Sequence, residues 1–277
     1  MIFFPNSKIN LGLHIIGKRG DGYHDLETIF YPVPIKDAIE VIEKETIQFS
    51  ISGLAIRGEQ ENNLCLKAYY LLKKDFPQLP PVHMHLHKSV PMGAGLGGGS
   101  ADGAFTLKLI NTKFDLSLSE KQLTGYALHL GSDCPFFILN KPCFATGRGE
   151  VLDQIDLDLS DYKILIVHPG IHISTASAFS YLPGSRRRRE SDSYKSSKEI
   201  IQQPISTWKE ELINDFEGHV FSQYPEIKKI KDELYNAGAL YSSMSGSGSA
   251  VYGIFEKGKA LALSFPENYF VKEIQVH

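Results

Sequence analysis

The sequence is poor in several features that mark particular classes of protein. It contains 3 cysteines, an odd number without the paired spacing of a zinc site, which argues against a disulfide framework. Lysine and arginine (29) do not outnumber aspartate and glutamate (32), so the formal net charge of -3 gives no overall attraction to nucleic acid. No apolar run approaches membrane-spanning length, and residues 1–5 are too short for a signal-peptide core. We therefore expect a soluble cytoplasmic protein with neither a membrane nor a nucleic-acid partner.

The composition is that of a folded chain with a substantial core. Of the 277 residues, 42% are hydrophobic and 22% are charged, and a chain of this length forms one large or two medium domains. An acidic connection at residues 153–158 precedes a buried-type strand at residues 163–168. We therefore predict an N-terminal domain at residues 1–154 and a C-terminal domain at residues 155–277.

The most distinctive stretch is rich in glycine. Residues 82–88 before it alternate like a half-buried strand, and residues 100–114 after it have helical spacing, with a serine or an aspartate as the expected cap. In this order of strand, glycine loop and helix, unpaired N–H groups and the positive end of the helix can approach an anion, which a linker or simple turn would not require. The lysine of a Walker A loop is missing, and the dinucleotide fingerprint would open its domain. The predicted phosphate-binding residues are Pro91, Met92, Gly93, Ala94, Gly95, Leu96, Gly97, Gly98, Gly99, Ser100 and Ala101.

Polar residues occupy one face of the first predicted strand. Residues 8–16 alternate, with Lys8, Asn10 and His14 opposite the apolar side, a pattern that by itself is typical of a solvated face. A glycine-punctuated turn with Tyr23 and His24 at its end follows and predicts a hairpin.

Two further segments combine turns with polar groups. Asp133 lies between a predicted helix at residues 119–130 and a proline-fixed apolar run, where an aspartate is most often a turn or cap residue. Residues 239–255 predict a strand, a glycine–serine loop and a second strand. Additional helices are predicted at residues 208–215 and 226–237.

These motifs resemble those of the GHMP kinases, the superfamily of galactokinase, homoserine kinase, mevalonate kinase and phosphomevalonate kinase. The N-terminal strand and turn, the central glycine segment and the C-terminal glycine–serine loop occur in the order of that superfamily, so the resemblance covers nearly the whole chain. It implies an α+β fold with a ribosomal-S5-like N-terminal domain and a ferredoxin-like C-terminal domain. It also implies phosphoryl transfer from ATP, with Mg²⁺ neutralising phosphate charge.

The resemblance assigns the catalytic roles to Lys8 and Asp133. The segment around Asp133 matches one in which the aspartate is the proposed general base, and an alcohol that attacks ATP must lose a proton. An ammonium beside this carboxylate would keep it ionised and stabilise the developing charge. We therefore predict that Lys8 lies within ion-pair distance of Asp133.

The N-terminal pattern resembles the branch of the superfamily whose substrate is a small-molecule cytidine diphosphate. In that branch Tyr23 and Phe179 would stack on the cytosine ring, and His24 would bind its polar edge. Asn10 and Thr175 match further positions at the substrate. We expect a monomer or a homodimer.

Some observations leave alternatives open. His83, His85 and His87 alternate along a predicted strand, but a metal site there would need a closing geometry and a fourth ligand, so the metal ligands stay unknown. We assign no role to Arg148 or to the four arginines at residues 186–189. Another small-molecule GHMP kinase, or a non-catalytic regulator that binds a nucleotide or RNA on the same scaffold, remains the alternative function.

Overall fold

The computed structural model describes residues 1–55, 60–180 and 195–276. The arginine run at residues 186–189 and the loop predicted around it lie outside the described residues. The described chain mixes helices with three four-stranded sheets, which confirms the predicted α+β class.

The strands of the described residues are numbered in chain order. They are β1 (Ile2–Phe3), β2 (Asn6–Lys18), β3 (His24–Lys36), β4 (Ala38–Glu43), β5 (Gln48–Gly53), β6 (Val82–Lys88), β7 (Cys143–Thr146), β8 (Val151–Gln154), β9 (Tyr162–His168), β10 (Tyr241–Met244), β11 (Val251–Glu256) and β12 (Phe270–Gln275). The sheets have the strand orders β1-β4-β6-β5, β2-β3-β7-β8 and β10-β11-β9-β12. The pair β5 and β6 is parallel, whereas β4 pairs with β6 in the antiparallel sense.

The α-helices of the described residues are numbered in the same way. They are α1 (Leu64–Asp75), α2 (Gly98–Lys113), α3 (Glu120–Leu130), α4 (Cys134–Leu139), α5 (Thr175–Ser180), α6 (Ser197–Ile200), α7 (Trp208–Glu211), α8 (Glu217–Gln223) and α9 (Pro225–Asn236). Among the described residues, no helix combines the length and the apolar character needed to cross a membrane.

Contacts between Cα atoms divide the chain into two compact units that are not continuous in sequence. The first unit comprises Met1–Lys8, Pro34–Met92 and Gly97–Lys141, and the second comprises Ile9–Val33, Gly93–Leu96 and Pro142–His277. These units describe the density of contacts, and the predicted domain boundary after residue 154 stays a prediction.

In the first unit, α2 is the central helix. It packs against α1, α3, α4 and β4, and its sequence is apolar around most of its circumference because neighbours cover most of its sides. The helix α3 begins with a capping box between Ser119 and Gln122, which confirms Ser119 as the predicted cap.

In the second unit, helices cover one face of the sheet β10-β11-β9-β12. The helix α9 has apolar residues at helical spacing that pack on β10 and β11, among them Ile227, Ile230 and Leu234. Val167 and Phe255 supply the buried side of the sheet in the same cluster. The fold therefore holds the two strands that flank the C-terminal glycine–serine loop rigidly.

The predicted order of strand, glycine loop and helix is confirmed by β6 and α2. The predicted cap, however, is wrong. The N-cap of α2 is Gly97, in the left-handed conformation with φ of 71°, and no side chain caps the helix. Glycine adopts this conformation without strain, so the helix begins two residues before Ser100.

The helix predicted at residues 208–215 is too long. The helix α7 ends at Glu211, because the following backbone pairs with β2. Leu13 donates its N–H to the carbonyl of Ile213 at 2.9 Å, and Asp215 donates its N–H to the carbonyl of Leu13 at 2.8 Å. A long-range strand contact has therefore replaced the helical hydrogen bonds of residues 212–215.

The three alternating histidines of β6 bond to serines of β5. The Ser50 hydroxyl lies 2.8 Å from both His83 Nε2 and His85 Nδ1, and the Ser52 hydroxyl lies 2.9 Å from both His85 Nε2 and His87 Nδ1. The described residues contain no group of three or more histidine, cysteine or carboxylate side chains arranged to hold a metal ion.

Candidate active site

The start of α2 combines a close backbone approach with unpaired N–H groups. A Cβ atom at Gly97 would lie 2.8 Å from Cζ of Phe137 and 3.1 Å from Cγ of Lys8, so only glycine permits this arrangement. Because no side chain caps the helix, its first N–H groups can donate to a bound anion. The glycine segment therefore brings an anion-binding helix end next to Lys8.

Lys8 and Asp133 meet in the first unit although they are far apart in sequence. Their Nζ and Oδ2 atoms are 3.6 Å apart, which confirms the predicted ion-pair distance. Asp133 occupies the N-cap position of α4, yet its side chain makes no capping hydrogen bond. Its carboxylate is thus directed to a different task from the structural one that its sequence position suggests.

The two partners differ in their access to solvent. The Lys8 side chain is 4% exposed and the Asp133 side chain is 37% exposed, so a ligand can reach the carboxylate. Burial lowers the pKa of Lys8 below its usual value, and the charge of Asp133 opposes this shift. The following residue, Cys134, is buried, and burial raises its pKa to about 12 although a hydrogen bond with Ser100 acts in the opposite direction.

In the second unit, the C-terminal glycine–serine loop contacts the middle of the glycine segment. Ser245 Oγ donates to the carbonyl of Gly95 at 2.8 Å, and Ala250 donates its N–H to the carbonyl of Ala94 at 3.1 Å. A Cβ atom at Gly95 would lie 1.9 Å from the Ser245 carbonyl oxygen, so any other residue would push the two loops apart. The buried side chains of Ala94 and Leu96 hold this part of the segment in place.

The predicted base-binding residues lie around one turn of the second unit. The rings of His24 and Phe179 stack with centroids 5.2 Å apart, and Phe179 also meets Phe216 edge to face. Tyr23 is 57% exposed, and the Arg148 guanidinium, to which the sequence assigned no role, lies 5.0 Å from its ring centroid. The sandwich of a cytosine between Tyr23 and Phe179 stays a prediction.

The environment of His24 favours a neutral imidazole. Burial lowers its pKa, and the charge of Lys18 lowers it further. A neutral imidazole has one donor and one acceptor nitrogen, as the edge of a cytosine requires.

The other two predicted substrate residues lie at loops of the same unit. Asn10 is buried, donates from Nδ2 to Thr28 Oγ1 at 3.0 Å and donates its backbone N–H to Ser245 Oγ at 3.2 Å. Thr175, at the start of α5, is exposed, and its hydroxyl lies 3.1 Å from the hydroxyl of Ser247. Both residues are thus bonded to the C-terminal glycine–serine loop.

Sequence reasoning missed the residues that hold this loop. Asn214 and Glu217 follow α7 and bond to backbone groups of residues 244–246. The only signal was a group of polar side chains at the end of a predicted helix, and the long-range pairing that gives them their role is invisible in the local pattern.

Comparison with known families agrees with this geometry. Residues 63–141 match the family described as GHMP kinases N terminal domain, and residues 198–269 match the family described as GHMP kinases C terminal. A curated protein of Bacteroides fragilis is 52% identical over 259 residues, which are 92% of each chain. The chain belongs to the GHMP kinases and is an ATP-dependent small-molecule kinase.

The printed names of the relatives define a narrower group. The Bacteroides fragilis protein is named 4-diphosphocytidyl-2-C-methyl-D-erythritol kinase. A crystal structure of 4-(cytidine 5'-diphospho)-2C-methyl-D-erythritol kinase covers 92% of this chain and 90% of its own, with a TM-score of 0.77 and 28% identity. The mevalonate kinase of Methanococcus jannaschii, at 14% identity, 100% and 98% coverage and a TM-score of 0.67, shares the fold. Within the superfamily, the chain is thus a member of the 4-diphosphocytidyl-2-C-methyl-D-erythritol kinase family.

Proposed function

We propose that the chain transfers the γ-phosphate of ATP to the 2-hydroxyl of 4-diphosphocytidyl-2-C-methyl-D-erythritol, a step in the non-mevalonate formation of isoprenoid precursors. The names of the relatives support the substrate. The observation that carries the mechanism is the pair of Lys8 and Asp133, at 3.6 Å, beside the uncapped start of α2.

The glycine segment at residues 91–101 binds the phosphates of ATP in this proposal. Its glycines let the backbone come close to the phosphate oxygens, and the first N–H groups of α2 donate to them. The helix dipole adds a positive potential at the same end. Ser100, in the first turn of α2, is a further hydroxyl donor within reach of this helix end.

Asp133 acts as the general base. It accepts the proton of the 2-hydroxyl while that oxygen forms its bond to the γ-phosphorus and the bond to the β–γ bridging oxygen breaks, which leaves ADP. The Lys8 ammonium keeps Asp133 ionised and stabilises the negative charge that develops on the attacking oxygen. Because Lys8 is buried, water screens its charge little.

Mg²⁺ enters with ATP in this proposal. The described residues offer no ready group of three or more carboxylate, histidine or cysteine ligands. Such a site suits a magnesium ion that is held mainly by phosphate oxygens and waters, with few protein ligands. The ion neutralises phosphate charge, and we derive no catalytic step from a protein-bound metal.

Substrate choice rests on the second unit. Tyr23 and Phe179 supply aromatic faces for the cytosine, and a neutral His24 supplies the donor and acceptor that distinguish its edge. Asn10 and Thr175 bind the remainder of the substrate. We further propose that the enzyme works in the cytoplasm as a monomer or homodimer, without nucleic acid as a partner.

Production of ADP from ATP, measured with and without the cytidylated alcohol, tests this proposal. We expect turnover only with that alcohol, and neither mevalonate nor homoserine should replace it. Asp133→Asn should lower kcat by roughly 10²–10⁴-fold because the base is lost.

Asp232→Asn is a matched control, since Asp232 lies in an exposed ion pair with Lys228 on α9. It should leave kcat and KM unchanged. Equal ADP production without the alcohol would reject the substrate, and an Asp133→Asn variant as active as the parent would reject the base.

A further inference from the structure

The height of Ser245 determines where the backbone of Gly95 lies. Ser245 Oγ donates to the Gly95 carbonyl at 2.8 Å, and there is no room for even one carbon atom between Gly95 and the Ser245 carbonyl. Both residues belong to the second unit, so this contact lies within one compact body. A shift of the loop at residues 244–248 would therefore move the glycine segment.

Asn214 is bonded to the backbone on both sides of Ser245. Its Nδ2 donates one hydrogen to the carbonyl of Met244 and the other to the carbonyl of Gly246, each at 2.8 Å. Its Oδ1 accepts the N–H of Phe216 at 3.0 Å. Only 3% of the residue is exposed, so water does not substitute for these bonds.

A carboxamide is the group that fits this position. A carboxylate of the same shape cannot donate, and it would face two carbonyl oxygens. Alanine would leave both carbonyls without this donor in a buried place. The position therefore requires two N–H donors on a short planar side chain.

Asn214 is itself held on both sides. Its neighbours Ile213 and Asp215 exchange backbone hydrogen bonds with Leu13 of β2. Farther along the chain, Glu217 Oε1 accepts the Met244 N–H at 2.8 Å, and Glu217 Oε2 pairs with Lys231 at 2.6 Å. The clamp thus fixes residues 244–246 relative to β2.

We propose that Asn214 is a positioning residue for ATP, which acts through Ser245 on the backbone of Gly95. It touches neither the nucleotide nor the alcohol. By setting the position of residues 244–246, it sets the direction in which the backbone around Gly95 faces the phosphates. This inference rests on the proposed role of the glycine segment, and it does not depend on which alcohol is phosphorylated.

Calorimetric titration with Mg²⁺-ATP, in the absence of any alcohol, tests the inference separately from the substrate assignment. Asn214→Asp should raise the Kd for ATP by about tenfold or more, because two hydrogen bonds that fix the loop are lost. In steady-state assays the KM for ATP should rise while the KM for the alcohol stays near that of the parent.

Asn111→Asp is the matched control. Asn111 also donates to a backbone carbonyl and accepts a backbone N–H, both of Leu118, at the C-terminal end of α2. This variant should lose stability without a change in the Kd for ATP, so it measures the effect of a lost amide alone.

Ser245→Ala removes the link from the clamp to Gly95 with a smaller structural change. It should weaken ATP binding too, and its combination with Asn214→Asp should be less than additive because both act along one path. An Asn214→Asp variant that binds ATP like the parent would overturn the inference. If that variant does not fold, parental ATP affinity in Ser245→Ala would overturn it instead.

Discussion

Lys8 and Lys88 are both buried in the first compact unit, yet their surroundings differ. Lys88 contacts Asp37 and lies 2.7 Å from Asp102, and these carboxylates are buried with it. Lys8 has one ion-pair partner in this unit, Asp133, at the longer distance of 3.6 Å and partly open to solvent. The first lysine is therefore matched in full by buried charge, whereas the second faces a group that a ligand can reach.

The direction of each pKa shift reflects this difference. Burial lowers the pKa of Lys88, but the two carboxylates outweigh burial and leave it raised. For Lys8, burial prevails over the attraction of Asp133, and the pKa is lowered. A buried cation whose charge is incompletely balanced suits the stabilisation of a ligand's negative charge, and a balanced one suits the support of the fold.

The cluster around Lys88 has a clear structural task. Asp37 Oδ1 accepts the backbone N–H groups of Ser89 and Val90, at 2.6 and 2.9 Å, where β6 leads into the glycine segment. Asp102 lies on α2, which follows that segment. The cluster thus ties together the strand before the loop and the helix after it.

The largest expected effect is a loss of stability in Lys88→Met. Removing this cation leaves two buried carboxylates without their partner, which should lower the free energy of unfolding by about 3–5 kcal/mol. Urea denaturation monitored by circular dichroism measures it. Lys228→Met, which breaks an exposed pair on α9, should change the same quantity by less than about 1 kcal/mol.

Lys8→Met should show the reverse pattern. We expect kcat to fall by roughly 10²–10³-fold, because a preorganised charge at the reacting oxygen is lost. The free energy of unfolding should stay the same or rise, because the penalty for burying an ammonium disappears. A loss of stability as large as that of Lys88→Met would erase the distinction between the two lysines.

The smallest expected effect concerns pH. Burial raises the pKa of Asp102 to about 7 from 3.8, so the folded protein keeps this proton in a range where the unfolded chain has released it. The unfolded state then binds fewer protons, and stability should fall as pH rises from about 4 to above 7. Between pH 5 and 7 this amounts to about 1–2 kcal/mol.

Asp102→Asn, which resembles the protonated carboxyl, should remove this pH dependence. Urea midpoints at several pH values provide the measurement, and Asp232→Asn should keep the dependence of the parent. An equal slope in Asp102→Asn and the parent would show that Asp102 titrates elsewhere than we infer.

Local patterns predicted much of the fold because local physics determines those parts. The alternation of β6, the glycines after it and the spacing of α2 each follow from neighbouring residues. The pair of Lys8 and Asp133 was predictable only through the chemistry that the resemblance implied. The early end of α7 and the clamp at Asn214 depend on pairing with β2 and β10, which propensity does not reveal.

Cys134 follows the proposed base directly in the chain and is completely buried. A thiol with a raised pKa that no solvent touches reacts with an alkylating reagent only when α4 opens. The rate at which this cysteine is labelled therefore counts the openings of the polypeptide next to Asp133. The protein carries its own clock for the local motion of its catalytic segment, and ligands that close the segment should slow that clock.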